Sequence, residues 1–212
     1  MRRLPVYLLL DTSASMYGEP ISAVKNGIQV LISTLRQDPY ALETAFISII
    51  TFNSTAQQVV PLTDLISFQA PDIEAQGMTA LGDALALTAD CIEKEVVKTS
   101  EHHRGDWRPL VFLMTDGEPN HNWQAGLEKF KALKLSMVIG CAAGEDANTE
   151  MLKKIANVVV RLDTADATTI KAFFKWVSAS VSTTSHKVDL TKKDVTGIAD
   201  LPAPPAEITI VT

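Results

Sequence analysis

The sequence predicts an α/β protein: a Rossmann-like, doubly wound, mostly parallel six-stranded sheet with one antiparallel edge strand and helices on both faces. Three observations lead there. Short runs at residues 4–10, 46–52, 110–114, 135–141 and 158–162 are almost continuously apolar, as strands covered on both faces must be. Segments with apolar residues at helical spacing separate them, giving the succession βαββαβαβαβα. Two of the apolar runs end abruptly in a carboxylate, Asp11 and Asp116, and the carboxyl edge of a parallel sheet is where ligand groups collect.

Residues 4–10 form the first strand. Glu19-Pro20 opens a helix, proline being tolerated in a first turn, and Ile21, Val24, Ile28, Leu31, Ile32 and Leu35 repeat at helical spacing until Asp38-Pro39. Residues 46–52 read as a central strand. After the Asn53-Ser54 turn, residues 56–62 are more polar and return antiparallel, since so short a connection cannot cross over to a parallel position. A linking segment, 65–76, precedes a helix over 81–97, marked by Leu81, Leu85, Ile92 and Val96. The charged stretch 93–108 carries His102 and His103, which read as a solvated loop. Strand 110–114, a helix over 123–133, strand 135–141, a short helix over 149–155, strand 158–162 and a last helix over 166–181 complete the alternation. Beyond Ser182 the periodicity fades, and Leu201-Pro202-Ala203-Pro204-Pro205 excludes regular structure there. The expected division is therefore a domain over 1–185 and a Pro-containing tail over 186–212.

Composition narrows the function. With 212 residues, 46% hydrophobic and 21% charged, the chain suits one globular domain with a full core. A formal net charge of −6 leaves no basic stripe for phosphates, so nucleic acid is not an expected partner. Cys91 and Cys141 belong to no CxxC pair and read as small buried residues. The N-terminal apolar run stops at Asp11, too early for a signal peptide. No stretch reaches the roughly 18 apolar residues of a membrane span, so the expected location is cytoplasmic.

Three loops carry oxygen ligands. Asp11, Ser13 and Ser15 follow the first strand, Thr79 precedes the 81–97 helix, and Asp116 follows strand 110–114. Two carboxylates and three hydroxyls suit a hard divalent cation, most naturally magnesium, with manganese or calcium as alternatives. Zinc would call for Cys or His. Neutral hydroxyls leave positive charge on the ion, which favours capture of an outside carboxylate or phosphate.

Asp11-Thr12-Ser13-Ala14-Ser15 resembles the Asp-x-Ser-x-Ser motif of von Willebrand factor type A (VWA) domains. Thr79, in Gly77-Met78-Thr79-Ala80-Leu81, is similar to that family's Gly-x-Thr-x-Leu threonine, and Thr115-Asp116-Gly117 to its Thr-Asp-Gly. The resemblance covers roughly residues 4–181. It implies a complete metal-ion-dependent adhesion site, with Ser13, Ser15 and Thr79 on the cation, Asp11 and Asp116 acting largely through water, and a partner carboxylate completing the octahedron. More narrowly, Arg2-Arg3-Leu4-Pro5-Val6-Tyr7, Gly18-Glu19-Pro20-Ile21, residues 35–43 and Ile49-Ile50-Thr51-Phe52 resemble the TerY group, compact bacterial VWA proteins of tellurite-resistance gene clusters. That likeness implies a role in tellurite and stress response beside a protein kinase and a serine/threonine phosphatase.

Met16, Tyr17, Met78, Glu118, Asn120 and His121 lie beside these motifs and are the expected partner-binding surface. The competing reading is a metal-dependent phosphate-ester hydrolase. It lacks a general base or acid beside the hydroxyls, and no Gly-x-Ser-x-Gly, Walker A or Gly-x-Gly-x-x-Gly motif is present. The sequence therefore predicts a binding module and not an enzyme.

Overall fold

The structure is a computed structural model that describes residues 2–119, 123–145, 147–191 and 198–211. Its centre is β1 (Leu4–Asp11), eight residues that are all buried. It pairs in parallel with β2 (Ala45–Phe52) on one side and β4 (Leu110–Thr115) on the other. With β3 (Ala56–Asp64), β5 (Met137–Ala143), β6 (Val158–Leu162) and β7 (Thr209–Val211), the sheet order is β3-β2-β1-β4-β5-β6-β7. The chain builds outward from β1 to β3, then crosses back and builds the other way from β4. The strand order thus reverses between β1 and β4, and their carboxyl ends border the crevice where α/β sheets bind ligands.

Successive side chains of a strand point to opposite faces, and β1 feeds two cores in that way. Leu4, Val6, Leu8 and Leu10 pack with α1 (Glu19–Leu35), α2 (Pro39–Thr44) and α6 (Ala167–Thr191). Tyr7 and Leu9 pack with α3 (Leu81–Glu95), α4 (Gln124–Lys131) and α5 (Thr149–Ile155). The buried Tyr7 hydroxyl donates to Glu95 Oε2 at 2.8 Å, and Glu95 also accepts from Gln58 and the Leu62 amide. A polar knot therefore ties β1, β3 and α3 together at the end of the sheet away from Asp11.

The doubly wound sheet, its parallel centre and the antiparallel edge strand β3 match the sequence expectation. Cys91 and Cys141 are buried free thiols. Three features differ from it. Asp38-Pro39 starts a second helix: the Asp38 carboxylate accepts from the Tyr40 and Ala41 amides at 2.9 and 3.3 Å, an N-cap followed by proline at the first helical position. Next, α6 runs on to Thr191 instead of fading at 182. Its extension carries small polar residues turned inward: Thr184 and Ser185 are fully buried, and the Thr184 hydroxyl donates to the Ser180 carbonyl four residues back. Such residues carry no hydrophobic period.

Finally, the sheet has seven strands and not six, because residues 209–211 pair antiparallel with β6. The Pro-containing segment is fastened before that pairing. Trp176 Nε1 donates to the Pro202 carbonyl at 2.9 Å, Lys187 pairs with Asp200, and Leu201 and Ile208 are buried. Residues 208–212 read as a β-prone run in the sequence, but their place in the sheet does not, because the pairing is tertiary. No helix among the described residues is long and apolar enough to cross a membrane.

Candidate functional site

The last residue of β1 is Asp11, 1% exposed. Its Oδ1 accepts from the Ser13 amide at 2.8 Å and its Oδ2 from the Thr115 hydroxyl at 2.5 Å. The first bond closes the turn that follows the strand; the second clamps β1 to the end of β4. Ser13 Oγ lies 3.0 Å from Ser15 Oγ, and Ser15 Oγ donates to Asp116 Oδ1 at 2.9 Å. Ser13, Ser15 and Asp116 thus form one hydrogen-bonded chain across the crevice, anchored to Asp11 through the Ser13 backbone.

Thr79 arrives from a third loop, which is docked backbone to backbone. The Ala14 amide donates to Gly77 O at 3.0 Å, the Gln76 amide to Thr12 O at 2.9 Å, and the Ala80 amide to Asn53 O at 2.7 Å. Gly77 takes φ +73°, and a Cβ there would stand 2.3 Å from Ser54 Oγ. Only glycine suits both that backbone region and that close approach. The loop leaves Thr79 9% exposed, and its Oγ1 lies 3.8 Å from where a Cβ on Gly117 would be. All five oxygen-bearing residues expected from the sequence therefore lie at one sheet edge.

Both carboxyls titrate upward. Asp11 is pushed up to about 6, first by burial; hydrogen bonds from Ser13 and Thr115 pull the other way, and the negative charge of Asp116 adds to the rise. Asp116 is raised as well, mainly by burial, with the Ser15 hydrogen bond opposing. Among the described residues no Lys, Arg or His pairs with either carboxylate. A buried and a half-buried carboxylate side by side, without a basic partner among the described residues, leave a demand for positive charge.

Folded Asp11 holds its proton more tightly than the unfolded chain, whose ordinary value is 3.8. Its contribution to stability is therefore complete below about pH 4 and lost as pH rises through about 6. In urea unfolding with chelator present, the wild type should lose on the order of 2 kcal/mol relative to Asp11→Asn between pH 4 and 7. A constant difference between the two proteins would contradict this environment for Asp11.

The expected partner surface divides. Tyr17 and Met78 are 80% and 63% exposed at the site's edge. Met16 is not part of that surface: it is fully buried in the core under α1, because a single 3-10 turn over Ala14–Met16 rolls its side chain inward. Glu118 is exposed and accepts from Asn148 Nδ2 at 2.9 Å, while Asn148 Oδ1 caps α5 through the Met151 amide. Asn120 and His121 lie outside the described residues. The sequence reading missed Thr115, whose hydroxyl orients Asp11; its position at the strand end, one residue before Asp116, was the available signal. It also missed Thr12 and Asn53, whose backbones dock the Thr79 loop. Among the described residues no group of three or more His, Cys, Asp or Glu side chains could hold a metal.

Residues 6–174 match the family model of the von Willebrand factor type A domain. A curated relative, the uncharacterized protein sll0103 of Synechocystis sp., is 29% identical over 170 residues, covering 73% of this chain and 36% of that protein. A von Willebrand factor type A structure from Catenulispora acidiphila is similar at TM-score 0.66 and 21% identity, over 85% of this chain and 43% of that one. The pilus adhesin SpaC of Lactobacillus rhamnosus GG superposes at TM-score 0.67 and 14% identity, over 86% and 30%. Proximal thread matrix protein 1 of the mussel byssus, in a structure with a zinc-occupied MIDAS motif, gives TM-score 0.60 and 18% identity, over 84% and 48%. The chain spans about a third of the length of the curated relative and less than half of each of these structures. At these identities the structural likeness is one of fold.

Proposed function

The chain belongs to the von Willebrand factor type A domain family, and from that premise we propose that it is a non-enzymatic, cation-dependent protein-interaction module. Ser13, Ser15 and Thr79 would hold the divalent cation through their hydroxyls, with Asp11 and Asp116 supplying charge and orientation. The observation that carries this reading is the buried Asp11 and half-buried Asp116, joined to a Ser13–Ser15–Asp116 hydrogen-bonded chain and without a basic partner among the described residues. The donor chemistry fits a hard ion: oxygen only, and mostly neutral. When bound, the ion supplies a positive centre for a carboxylate or phosphate of a partner protein. We take magnesium as the physiological ion, with manganese and calcium as competitors; zinc occupies the MIDAS motif of the mussel protein.

Tyr17 and Met78, exposed beside the site, supply apolar contact area around that charge, and an aromatic side chain is a common interface anchor. Glu118, Asn120 and His121 belong to the same proposed surface. The setting we favour is bacterial tellurite and stress resistance, in the cytoplasm, beside a protein kinase and a serine/threonine phosphatase. Its support is the set of sequence stretches quoted above.

Affinity capture from a bacterial lysate tests the reading. Partner recovery should require divalent cation, and Ser13→Ala combined with Ser15→Ala should abolish it while leaving the melting temperature in chelator within a few degrees of wild type. Equal recovery in chelator and in the double variant would reject the cation's role. Phosphatase turnover that Asp11→Ala removes would instead establish the hydrolase.

A further inference from the structure

The sheet edge that carries Asp11 and Asp116 is acidic beyond those two residues. The turns after β1, β2, β4, β5 and β6 reach it, together with the docked end of the Thr79 loop. Over residues 12–18, 53–55, 74–80, 116–119, 144–145 and 163–166 these segments hold no Lys or Arg, in a chain with 19 such residues. They carry instead Glu74, Glu118, Glu145, Asp163 and Asp166, and Glu19 stands in the first turn of α1.

Hydrogen bonds place this rim around the cation site. Glu74 lies two residues before Gln76, whose amide donates to Thr12 O. Glu118 lies two residues after Asp116, and its bond from Asn148 joins the turn after β4 to the turn after β5, where Glu145 stands. Glu19 Oε1 accepts from the Ala167 amide at 3.1 Å, which brings Asp166 beside the start of α1. Neighbouring strands are about 4.8 Å apart, so the turn after β5 starts roughly 10 Å from the end of β1, about one Debye length at 0.1 M salt.

Few cations answer these charges. Arg161 pairs with Asp163. Glu74, Glu118 and Glu145 are exposed and make no ion pair among the described residues. Glu19 and Asp166 share the N-terminus of α6, whose dipole is worth about half a charge. The only further base in the sequence of these turns is His121, outside the described residues. A divalent ion balances Asp11 and Asp116 alone, so the charge of the rim remains. Tyr17, 80% exposed in the turn after Ser15, adds an aromatic ring beside carboxylates, a setting that suits a guanidinium or ammonium group.

We propose that the cation edge selects a protein segment in which one Asp or Glu carboxylate is flanked by Lys or Arg, and rejects multiply acidic or phosphorylated segments. This inference rests on the cation-binding reading above and adds the chemistry of the partner. The carboxylate completes the ion, and the flanking cations meet Glu74, Glu118 and Glu145. A phosphate carries up to twice the charge of a carboxylate, and a second acid brings a second repulsion, so the same rim turns both away. A free carboxylic acid without cationic neighbours meets only the repulsion.

The full chain at saturating magnesium, low salt and pH 8, where an ordinary histidine is neutral, is titrated with four fluorescein-labelled peptides. They are KRADLRK, its Asp-to-Asn counterpart KRANLRK, its counterpart with phosphoserine in place of Asp, and EEADLEE. KRADLRK should bind at least tenfold tighter than each of the others, and its lead over KRANLRK should vanish in chelator. The triple variant E74Q/E118Q/E145Q, which keeps the Oε1 acceptor that Asn148 uses, should melt within a few degrees of wild type and cut the lead over EEADLEE at least tenfold. An absence of magnesium binding overturns the cation reading and this inference with it. With magnesium bound, the inference alone falls if EEADLEE or the phosphopeptide binds as tightly as KRADLRK, if KRANLRK does, if no peptide saturates at millimolar concentration, or if the triple variant keeps the wild-type preference.

Discussion

Asp11→Asn loses the stabilisation that divalent cation gives the wild type. An ion at 100 times its Kd stabilises a folded chain by about 2.7 kcal/mol, which in a domain of this size raises Tm by roughly 5–10 °C. The introduced carboxamide keeps a carbonyl for the Ser13 amide or the Thr115 hydroxyl, the two donors that Asp11 now satisfies, so the turn survives. It removes the buried negative charge that Asp116 opposes. In chelator at pH 8 the variant should therefore melt at or above the wild-type temperature, and in millimolar magnesium it should not move. The cation-free wild type is the less comfortable molecule, a familiar cost of a preorganised site. Thermal melts of both proteins with and without magnesium read this out; an equal rise in both would contradict it.

Gly126→Ala lowers stability by about 3 kcal/mol, or roughly 10 °C in Tm. In an exposed helix the same change would gain about 1 kcal/mol. Here the sign reverses because a Cβ on Gly126 would stand 2.0 Å from the Gly82 carbonyl oxygen and 2.8 Å from its carbon. Those are backbone atoms and cannot swing aside, so α3 and α4 must separate. The consequence reaches the site, since α3 begins two residues after Thr79 and α4 follows the loop that carries Asp116. Gly126→Ala should accordingly weaken magnesium binding as well as folding. Urea unfolding and cation titration of the same preparation measure the two effects; a variant as stable as wild type would show that the helices do not meet there.

The α/β alternation and the five oxygen-bearing residues were legible because each rests on local pattern. Buried parallel strands are apolar without a break, as β1 and β4 are, and the polar residues that end them stand out. What closes the site was harder to read. Thr115 and Gly77 stand in the quoted motifs, but the Thr115 bond to Asp11 and the fit of Gly77 against Ser54 emerge only once β4 lies beside β1 and the Thr79 loop is docked. Met16 reads from sequence either as partner surface beside Ser15 and Tyr17 or as packing under the helix, and the 3-10 turn buries it. The end of α6 and the strand β7 escaped because their stabilisation is tertiary. Thr184 is buried and bonds to its own helix, and residues 209–211 have no partner until β6 is in place.

Isothermal titration of magnesium at pH 7.5 into the wild type and Asp11→Asn tests most directly whether three loops build one cation site. The account predicts one ion bound per chain in the wild type and no heat of binding in the variant. An absence of binding in the wild type, or the same affinity and stoichiometry in both proteins, would contradict it.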